Sequence, residues 1–120
     1  MHIRLVGRDS RTAMEAQMKG NHGFFLGAFE DTHLVGTVIA TNDGRKGWIN
    51  RLAVDPDYRR RGIAKALVAE AEKALRKNGI RVFCALIEET NEPSKNFFLK
   101  CGYKELKVIR YFSKRDSEEA

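Results

Sequence analysis

The stretch YRRRGIAKAL, residues 58–67, holds three arginines, a glycine and the start of an apolar, alanine-rich helix. The first turn of a helix carries backbone N–H groups without intrahelical partners, and the helix dipole adds roughly half a positive charge there. Gly62 lets the backbone approach an anion closely, and Ala64 is too small to shield the amides that follow it. The pattern therefore predicts a binding site for a phosphate group. A solvated basic turn in front of an ordinary helix would explain the same residues.

Other chemistry-bearing patterns are absent from the sequence. There is no GxxxxGK[ST] loop and no GxGxxG dinucleotide fingerprint. The two cysteines, Cys84 and Cys101, are too few for a disulfide framework and are expected to be small buried hydrophobes. No cluster of His and Cys has the spacing of zinc ligands, so no metal is expected.

The composition is that of a folded domain, with 120 residues of which 42% are hydrophobic and 32% charged. A net charge of +6 favours acidic partners, such as nucleic acid, an anionic cofactor or an acidic substrate. No apolar run approaches the length of about 20 residues that spans a bilayer. The N-terminus also lacks the apolar core of a signal peptide. We therefore expect a cytoplasmic protein that does not associate with membranes.

Hydrophobic periodicity and turn residues predict the elements around the arginine stretch. The run over residues 80–87 is apolar almost throughout, which is typical of a strand buried on both faces. The predicted order gives a mixed α/β sheet with helices packed on it. Helices are predicted over residues 10–19, from Gly62 to Asn78, and over 92–102, strands over 23–31, 33–42, 47–54 and 80–87, and a last extended segment over 103–114.

Two blocks resemble motifs of one superfamily. LAVDPDYRRRGIAKALV resembles the coenzyme A motif of the GNAT superfamily of acyl-CoA N-acyltransferases, whose defining positions fall on Val54, Pro56, Arg59, Gly62 and Ala64. NEPSKNFFLKCGYKE resembles the later motif of the superfamily, with matches at Asn91, Ser94, Phe98, Lys100, Gly102 and Tyr103. Two motifs in the correct order are far more specific than either alone, and the resemblance covers roughly residues 24–114.

The resemblance implies an α/β (α+β) fold, in which a mixed, mostly antiparallel sheet flanked by helices is splayed at its centre. The splay would lie between the strands INRLAV (49–54) and RVFCALI (81–87), with the pantetheine arm in the gap. The coenzyme-binding residues that it implies are Leu52, Ala53 and Val54 for the arm, Arg59 as the basic residue of the motif, Arg60, Arg61, Gly62, Ile63, Ala64 and Lys65 for the pyrophosphate, Asn91 from the other side, and Phe98.

The implied reaction moves an acetyl group from acetyl-CoA to a primary amine of a small molecule or peptide by direct attack. A base deprotonates the ammonium, a strand amide steadies the oxyanion, and an acid protonates the leaving thiolate. Phe98 stands where the superfamily often has a tyrosine acid. Leu86 stands where the ribosomal-protein N-terminal acetyltransferases of the superfamily carry a glutamate base. Glu88 and Glu89 are the remaining candidates for a base acting through water, although a solvated strand end would also explain them.

The ends of the chain depart from the superfamily pattern. We expect a single N-acetyltransferase domain over residues 1–120 that lacks the usual first strand and helix and has a shortened C-terminal hairpin. HIRLVG (2–7) fits a connector between two helices slightly better than a compressed first strand. The connector interpretation leaves one sheet edge uncovered, and a second copy of the chain could pair there as a homodimer.

Two other functions stay open at this point. The first is a coenzyme-binding or interaction module without catalysis, which Phe98 and Leu86 favour. The second is a basic nucleic-acid-binding domain, for which the sequence carries no family signature.

Overall fold

A computed structural model of the chain describes residues 1–6 and 23–117. The helix predicted over residues 10–19 lies outside the described residues. The chain divides into two compact units, one from Met1 to Glu88 and one that begins at Glu89. The elements of the first unit are β1 (His2–Leu5), β2 (Phe24–Glu30), β3 (His33–Asn42), β4 (Lys46–Val54), a 3₁₀ turn (Pro56–Tyr58), α1 (Ile63–Lys77) and β5 (Val82–Cys84), and the second unit contains α2 (Glu92–Lys100).

The sheet of the first unit has the strand order β1-β2-β3-β4-β5. The first three pairings are antiparallel and β4 pairs with β5 in parallel, so the predicted mixed and mostly antiparallel α/β sheet is confirmed. The parallel pairing follows from chain order, because α1 forms the crossover between the two strands. This arrangement puts the start of α1 beside the end of β4.

Helix α1 packs on one face of the sheet. Its apolar side chains recur at helical spacing, and Leu67 and Leu75 are fully buried. Two glycines in the strands bring the helix close. A Cβ on Gly36 would lie 3.0 Å from Leu67 Cδ1, and a Cβ on Gly47 would lie 2.6 Å from Leu75 Cδ1. The helix therefore has a fixed position against β3 and β4, which also fixes the loop that precedes it.

The turn between β3 and β4 is closed by its own side chains. Asn42 Oδ1 accepts from the Gly44 amide at 2.9 Å, and Asp43 Oδ1 accepts from Arg45 at 2.9 Å and from Lys46 at 2.8 Å. These bonds favour the charged carboxylate, and the Lys46 and Arg45 amides lower the pKa of Asp43 below its usual value. Gly44 has φ +87, as the Asp-Gly hairpin signal predicts.

The structure corrects three predicted elements. His2–Leu5 does not connect two helices, because it is a strand paired with β2 from His2↔Phe29 to Leu5↔Leu26. The strand predicted over 80–87 is shorter and less buried than expected, since only Val82–Cys84 pair with β4 and Val82 is 49% exposed. No strand forms over 103–114, where large apolar side chains such as Val108 and Phe112 are exposed.

The second unit is organised around α2. Asn91 caps the helix, with Oδ1 accepting from the Ser94 amide at 3.2 Å. Phe98 is the buried side chain of the helix, and its ring meets Phe97 and Tyr103 edge-on at 5.1 and 5.0 Å between centroids. This packing confirms a short helix that ends just before Gly102, whose φ is +96.

Candidate functional site

Strand β4 carries a bulge three residues before its end. Thr37 pairs with Ala53 and Ile39 pairs with Asn50, so a step of two residues on β3 matches a step of three on β4. The extra residue is accommodated at Arg51, which has φ +49. A side chain in this left-handed region costs about 1–2 kcal/mol, and such strain is concentrated at functional sites.

A gap opens beside β4 at the same point. β5 pairs with β4 at three positions only, and the last of these is Trp48↔Cys84. From Ile49 to Val54 no strand pairs with that side of β4 among the described residues. The backbone N–H and C=O groups along that edge are therefore available to a ligand. This is the splay that the sequence predicts, and it includes the predicted binding residues Leu52, Ala53 and Val54.

The segment from β4 to α1 is held by a short chain of hydrogen bonds. The Asp55 amide donates to the Val35 carbonyl at 2.8 Å, which fixes the end of the strand. Asp55 Oδ1 accepts from the Asp57 amide at 2.9 Å and caps the 3₁₀ turn that Pro56 begins. The following loop therefore starts from a defined position relative to β4.

The loop itself contains two left-handed residues, Arg60 with φ +65 and Gly62 with φ +78. Gly62 is the N-cap of α1, and no side-chain hydrogen bond caps the helix. No described side chain accepts from the amides of Ile63, Ala64 or Lys65, which begin the first turn. A Cβ on Gly62 would meet nothing within 4 Å, so the space beside Gly62 at the start of the helix is open.

Positive charge surrounds these amides. The side chains of Arg59, Arg60, Arg61 and Lys65 are exposed, and none of them forms an ion pair with a described residue. With the helix dipole they make the loop attractive to an anion. Free donors, positive charge and open space together fit a phosphate ester. They fit a solvated turn poorly, because such turns usually cap their amides with Ser, Thr, Asn or Asp.

Tyr58 orders one of the arginines. The Arg61 guanidinium lies 4.8 Å above the centre of its ring, within the range of a cation–π contact. The centre of the His33 ring lies 5.8 Å from the centre of the Tyr58 ring. His33 Nε2 in turn lies 3.7 Å from Asp55 Oδ2. Tyr58 thus ties Arg61 to the base of the loop.

The residues at the predicted acid and base positions do not form an acid–base pair among the described residues. Leu86 is 70% exposed. Glu88 and Glu89 are exposed, and neither makes a hydrogen bond or ion pair with a described residue. Glu88 ends the first unit and Glu89 begins the second. Their role as a base acting through water therefore stays a prediction.

Asn91 and Phe98 belong to the second unit, where each has a structural role of its own. The side-chain Oδ1 of Asn91 caps α2, and Phe98 fills the small core of that unit. Their coenzyme contacts stay predictions. The left-handed conformation of Arg51 is not predicted by the sequence analysis. The only signal was the polar pair Asn50-Arg51, which interrupts an otherwise apolar strand.

The described residues hold neither a helix long and apolar enough to cross a membrane nor a group of three or more His, Cys, Asp or Glu side chains placed to hold a metal ion. Residues 4–103 match the model of the acetyltransferase (GNAT) family. The chain belongs to this family. Family membership confirms the resemblance carried by the two motifs and the enzyme class, acetyltransferase, that they predict.

Curated proteins agree with this assignment. An acetyltransferase of Pectobacterium atrosepticum is 34% identical over 98 residues, which are 80% of this chain and 70% of that protein. The spermidine N(1)-acetyltransferase of Thermoplasma acidophilum is 35% identical over 80 residues, which are 67% of this chain and 50% of that protein. The chain thus spans about half the length of the second relative.

Solved structures share the fold. An aminoglycoside N-acetyltransferase, AAC(6')-Iy, in complex with a bisubstrate analogue has a TM-score of 0.76 at 18% identity, with 95% of this chain and 97% of that chain covered. The PaiA N-acetyltransferase of Thermoplasma acidophilum, in complex with coenzyme A, has a TM-score of 0.68 at 32% identity. The match covers 76% of this chain and 57% of that chain.

Proposed function

We propose that the protein transfers an acetyl group from acetyl-CoA to a primary amine by direct attack of the amine on the thioester. The observation that carries this proposal is the uncapped N-terminus of α1, with its open space and its arginines, at the end of a strand that borders a gap. A relative at 32% identity is solved with coenzyme A, which supports the same ligand here.

The phosphate loop is the part of the site that the coenzyme fits best. We assign the pyrophosphate to the amides between Arg60 and Lys65, where backbone donors need no particular side chain. The arginines supply further attraction that solvent screens. The pantetheine arm is assigned to the backbone of Leu52, Ala53 and Val54 along the open edge of β4, where amide groups of ligand and strand can pair.

In the proposed reaction, the bulge of β4 positions a backbone amide that stabilises the oxyanion. Acetyl-CoA supplies an activated thioester, and attack by an amine puts negative charge on its carbonyl oxygen. An amide that is held rigidly beside the gap stabilises such a charge without reorganising. The backbone at Arg51 and Leu52 is the part of β4 whose direction the bulge changes, so we assign this task to one of its amides.

Proton transfer is the least specified step. Alkyl amines are protonated at neutral pH, because their pKa values lie near 10, so a base must act before attack. Glu88 or Glu89 could do so through water. A thiolate is a fairly good leaving group near neutral pH, since thiols are much more acidic than alcohols. The proposed reaction can therefore proceed with phenylalanine at position 98.

The acceptor is a small primary amine in this proposal, and a peptide amine is the alternative. The spermidine acetyltransferase relative is 35% identical and supports a small amine. The aminoglycoside N-acetyltransferase at 18% identity shows the fold alone. The homodimer was expected at the sheet edge that the connector interpretation leaves uncovered. Strand β1 covers that edge of β2, so this reason for pairing is removed, and the homodimer itself stays a prediction.

Calorimetric titration with acetyl-CoA, followed by measurement of free thiol release with a panel of amines, tests the proposal. We expect saturable binding that weakens by no more than about tenfold between 50 and 300 mM salt, and turnover with at least one amine. Binding without turnover on any amine would favour a coenzyme-binding module. Absence of acetyl-CoA binding, with DNA affinity that falls steeply as salt rises, would favour the nucleic-acid-binding alternative.

A further inference from the structure

The two faces of β4 have different surroundings. Gly47 points toward α1, since a Cβ there would meet Leu75 and Ile80. Side chains alternate along a strand, so Trp48 and Asn50 point to the opposite face. The register agrees, because Trp48 pairs with Thr41 and both therefore lie on the face away from α1.

Asn50 has a fixed orientation on this face. Its Nδ2 donates to Thr41 Oγ1 at 3.1 Å and to the Trp48 carbonyl at 3.3 Å. A carbonyl oxygen only accepts, so the atom beside it must be the amide nitrogen. Asn50 Oδ1 is thereby directed elsewhere, and it has no hydrogen-bond partner among the described residues. Asn50 and Trp48 are both half-buried, so part of each is accessible.

These side chains border the gap. Trp48 is the last residue of β4 that pairs with β5, and Asn50 is the first residue beyond it on the same face. The bulge at Arg51 follows immediately. Asn50 and Leu52 are two residues apart, and even a fully extended strand would separate them by no more than about 7 Å, so a bound amine would lie near a thioester held along the same edge.

We propose that Trp48, Asn50 and Thr41 form the binding site for the acceptor, which we infer to be an aliphatic amine with a single positive charge. The inference rests on the proposed acetyl transfer. The indole face attracts an ammonium ion, and Asn50 Oδ1 accepts one of its N–H groups. Thr41 holds the Asn50 amide in place. The three side chains are uncharged, and the neighbouring Arg51 forms no ion pair with a described residue, so a second cation on the acceptor gains nothing here.

Trp48 is the only tryptophan of the chain, so its fluorescence reports on this site directly. The wild-type protein is titrated with n-hexylamine, with the neutral n-hexanol and with spermidine, at constant ionic strength. We expect a saturable change with n-hexylamine, none with n-hexanol, and an affinity for spermidine no higher than that for n-hexylamine. An equal response to n-hexanol, tighter binding of spermidine, or no response to n-hexylamine would overturn the proposal.

Matched variants separate recognition of the amine from folding. Trp48→Leu removes the ring face, and we expect the KM for n-hexylamine to rise about 3- to 30-fold, as a lost cation–π contact predicts. Trp48→Phe retains the face, so its KM should stay within about threefold of wild type. Asn50→Leu should raise the same KM, whereas the Kd for acetyl-CoA should not change in any of the three. A rise in the acetyl-CoA Kd that equals the rise in KM would show a structural role and contradict the proposal.

The failures of the two proposals are distinguishable. Absence of the amine response in the wild-type protein, with intact acetyl-CoA binding, contradicts the acceptor site alone. Absence of acetyl-CoA binding contradicts the proposed function whatever the fluorescence shows.

Discussion

The turns at the two ends of β4 differ in whether side chains accept hydrogen bonds from their backbone amides. Before the strand, side chains of Asn42 and Asp43 accept from the amides of Gly44, Arg45 and Lys46. After it, the loop through Gly62 leaves the first amides of α1 without a side-chain acceptor among the described residues. Both turns contain a glycine with a positive φ and open space around it, +87 at Gly44 and +78 at Gly62.

In the proposed function, this difference distinguishes a binding turn from a structural one. Glycine, positive φ and basic neighbours are common to both turns, so none of these features alone indicates a ligand. What differs is whether the backbone donors are already used. A turn that satisfies its own amides is complete, whereas one that leaves them free at a helix N-terminus has capacity for an anion.

The largest expected effect comes from placing the same carboxylate in both turns. Gly62→Glu puts a negative charge and a side chain in front of the free amides, and we expect acetyl-CoA affinity to fall at least about 100-fold, since like charges in contact cost several kcal/mol. Calorimetric titration measures this loss.

Gly44→Glu is the matched control. It introduces the same residue at a similar φ into similarly open space. The nine residues of β4 separate the turns by about 30 Å. This is well beyond the Debye length of about 8 Å at physiological salt, so acetyl-CoA affinity should stay within about twofold of wild type. Equal losses of acetyl-CoA affinity in both variants would mean that the phosphate-binding site does not lie at Gly62.

A smaller effect is expected from the arginines. Arg61→Ala removes a charge that Tyr58 holds near the free amides, and we expect the Kd for acetyl-CoA to rise about three- to tenfold at low salt, with a smaller rise at 300 mM. Arg45→Ala removes an equivalent charge from the turn that satisfies its own amides and should leave the Kd unchanged. A loss with Arg61→Ala that persists at high salt would indicate a desolvated contact with the ligand instead of general attraction.

Much of the fold was predictable because its signals are local. The Asp43-Gly44 turn, the proline after β4 and the helical period from Ile63 each act over a few residues, and each was predicted correctly. Pairing partners are not local. The family pattern slightly favours a connector over a strand for His2–Leu5, and four residues carry too little periodicity to decide between the two. The pairing with β2 makes this segment a strand. The run over 80–87 has the composition of a buried strand, but the gap beside β4 leaves most of it unpaired.

In the candidate site, too, the features that depend on local sequence were predictable and those that depend on strand pairing were not. The loop through Gly62 and the start of α1 were predictable from their residue types, and the proposed phosphate site rests on backbone amides whose position these elements determine. The bulge at Arg51 and the orientation of Asn50 were not predictable, since both depend on the register between β3 and β4. The side-chain chemistry of transfer was also not resolved, because Phe98 and Leu86 occupy the positions where a motif would have named an acid and a base.

The smallest expected effect concerns Arg60, which occupies the left-handed region at φ +65 without being a glycine. Arg60→Gly relieves a strain of about 1–2 kcal/mol, part of which is offset by the greater freedom of glycine in the unfolded chain. We expect the free energy of unfolding to rise by up to about 1 kcal/mol, which corresponds to a few degrees in Tm. Acetyl-CoA affinity should fall by no more than about threefold, because one exposed charge is lost while the amides remain.

Gly44→Ala is the reverse experiment, because it puts a Cβ on a residue with φ +87 and should lower the Tm by a similar amount. Opposite shifts in the two variants would show that backbone strain is tolerated in the binding turn and avoided in the structural one. If Arg60→Gly instead abolished acetyl-CoA binding while the protein stayed folded, the Arg60 side chain would be the main ligand contact. The contrast between the two turns would then rest on arginine placement, and the free amides of α1 would have only a secondary part in holding the phosphate.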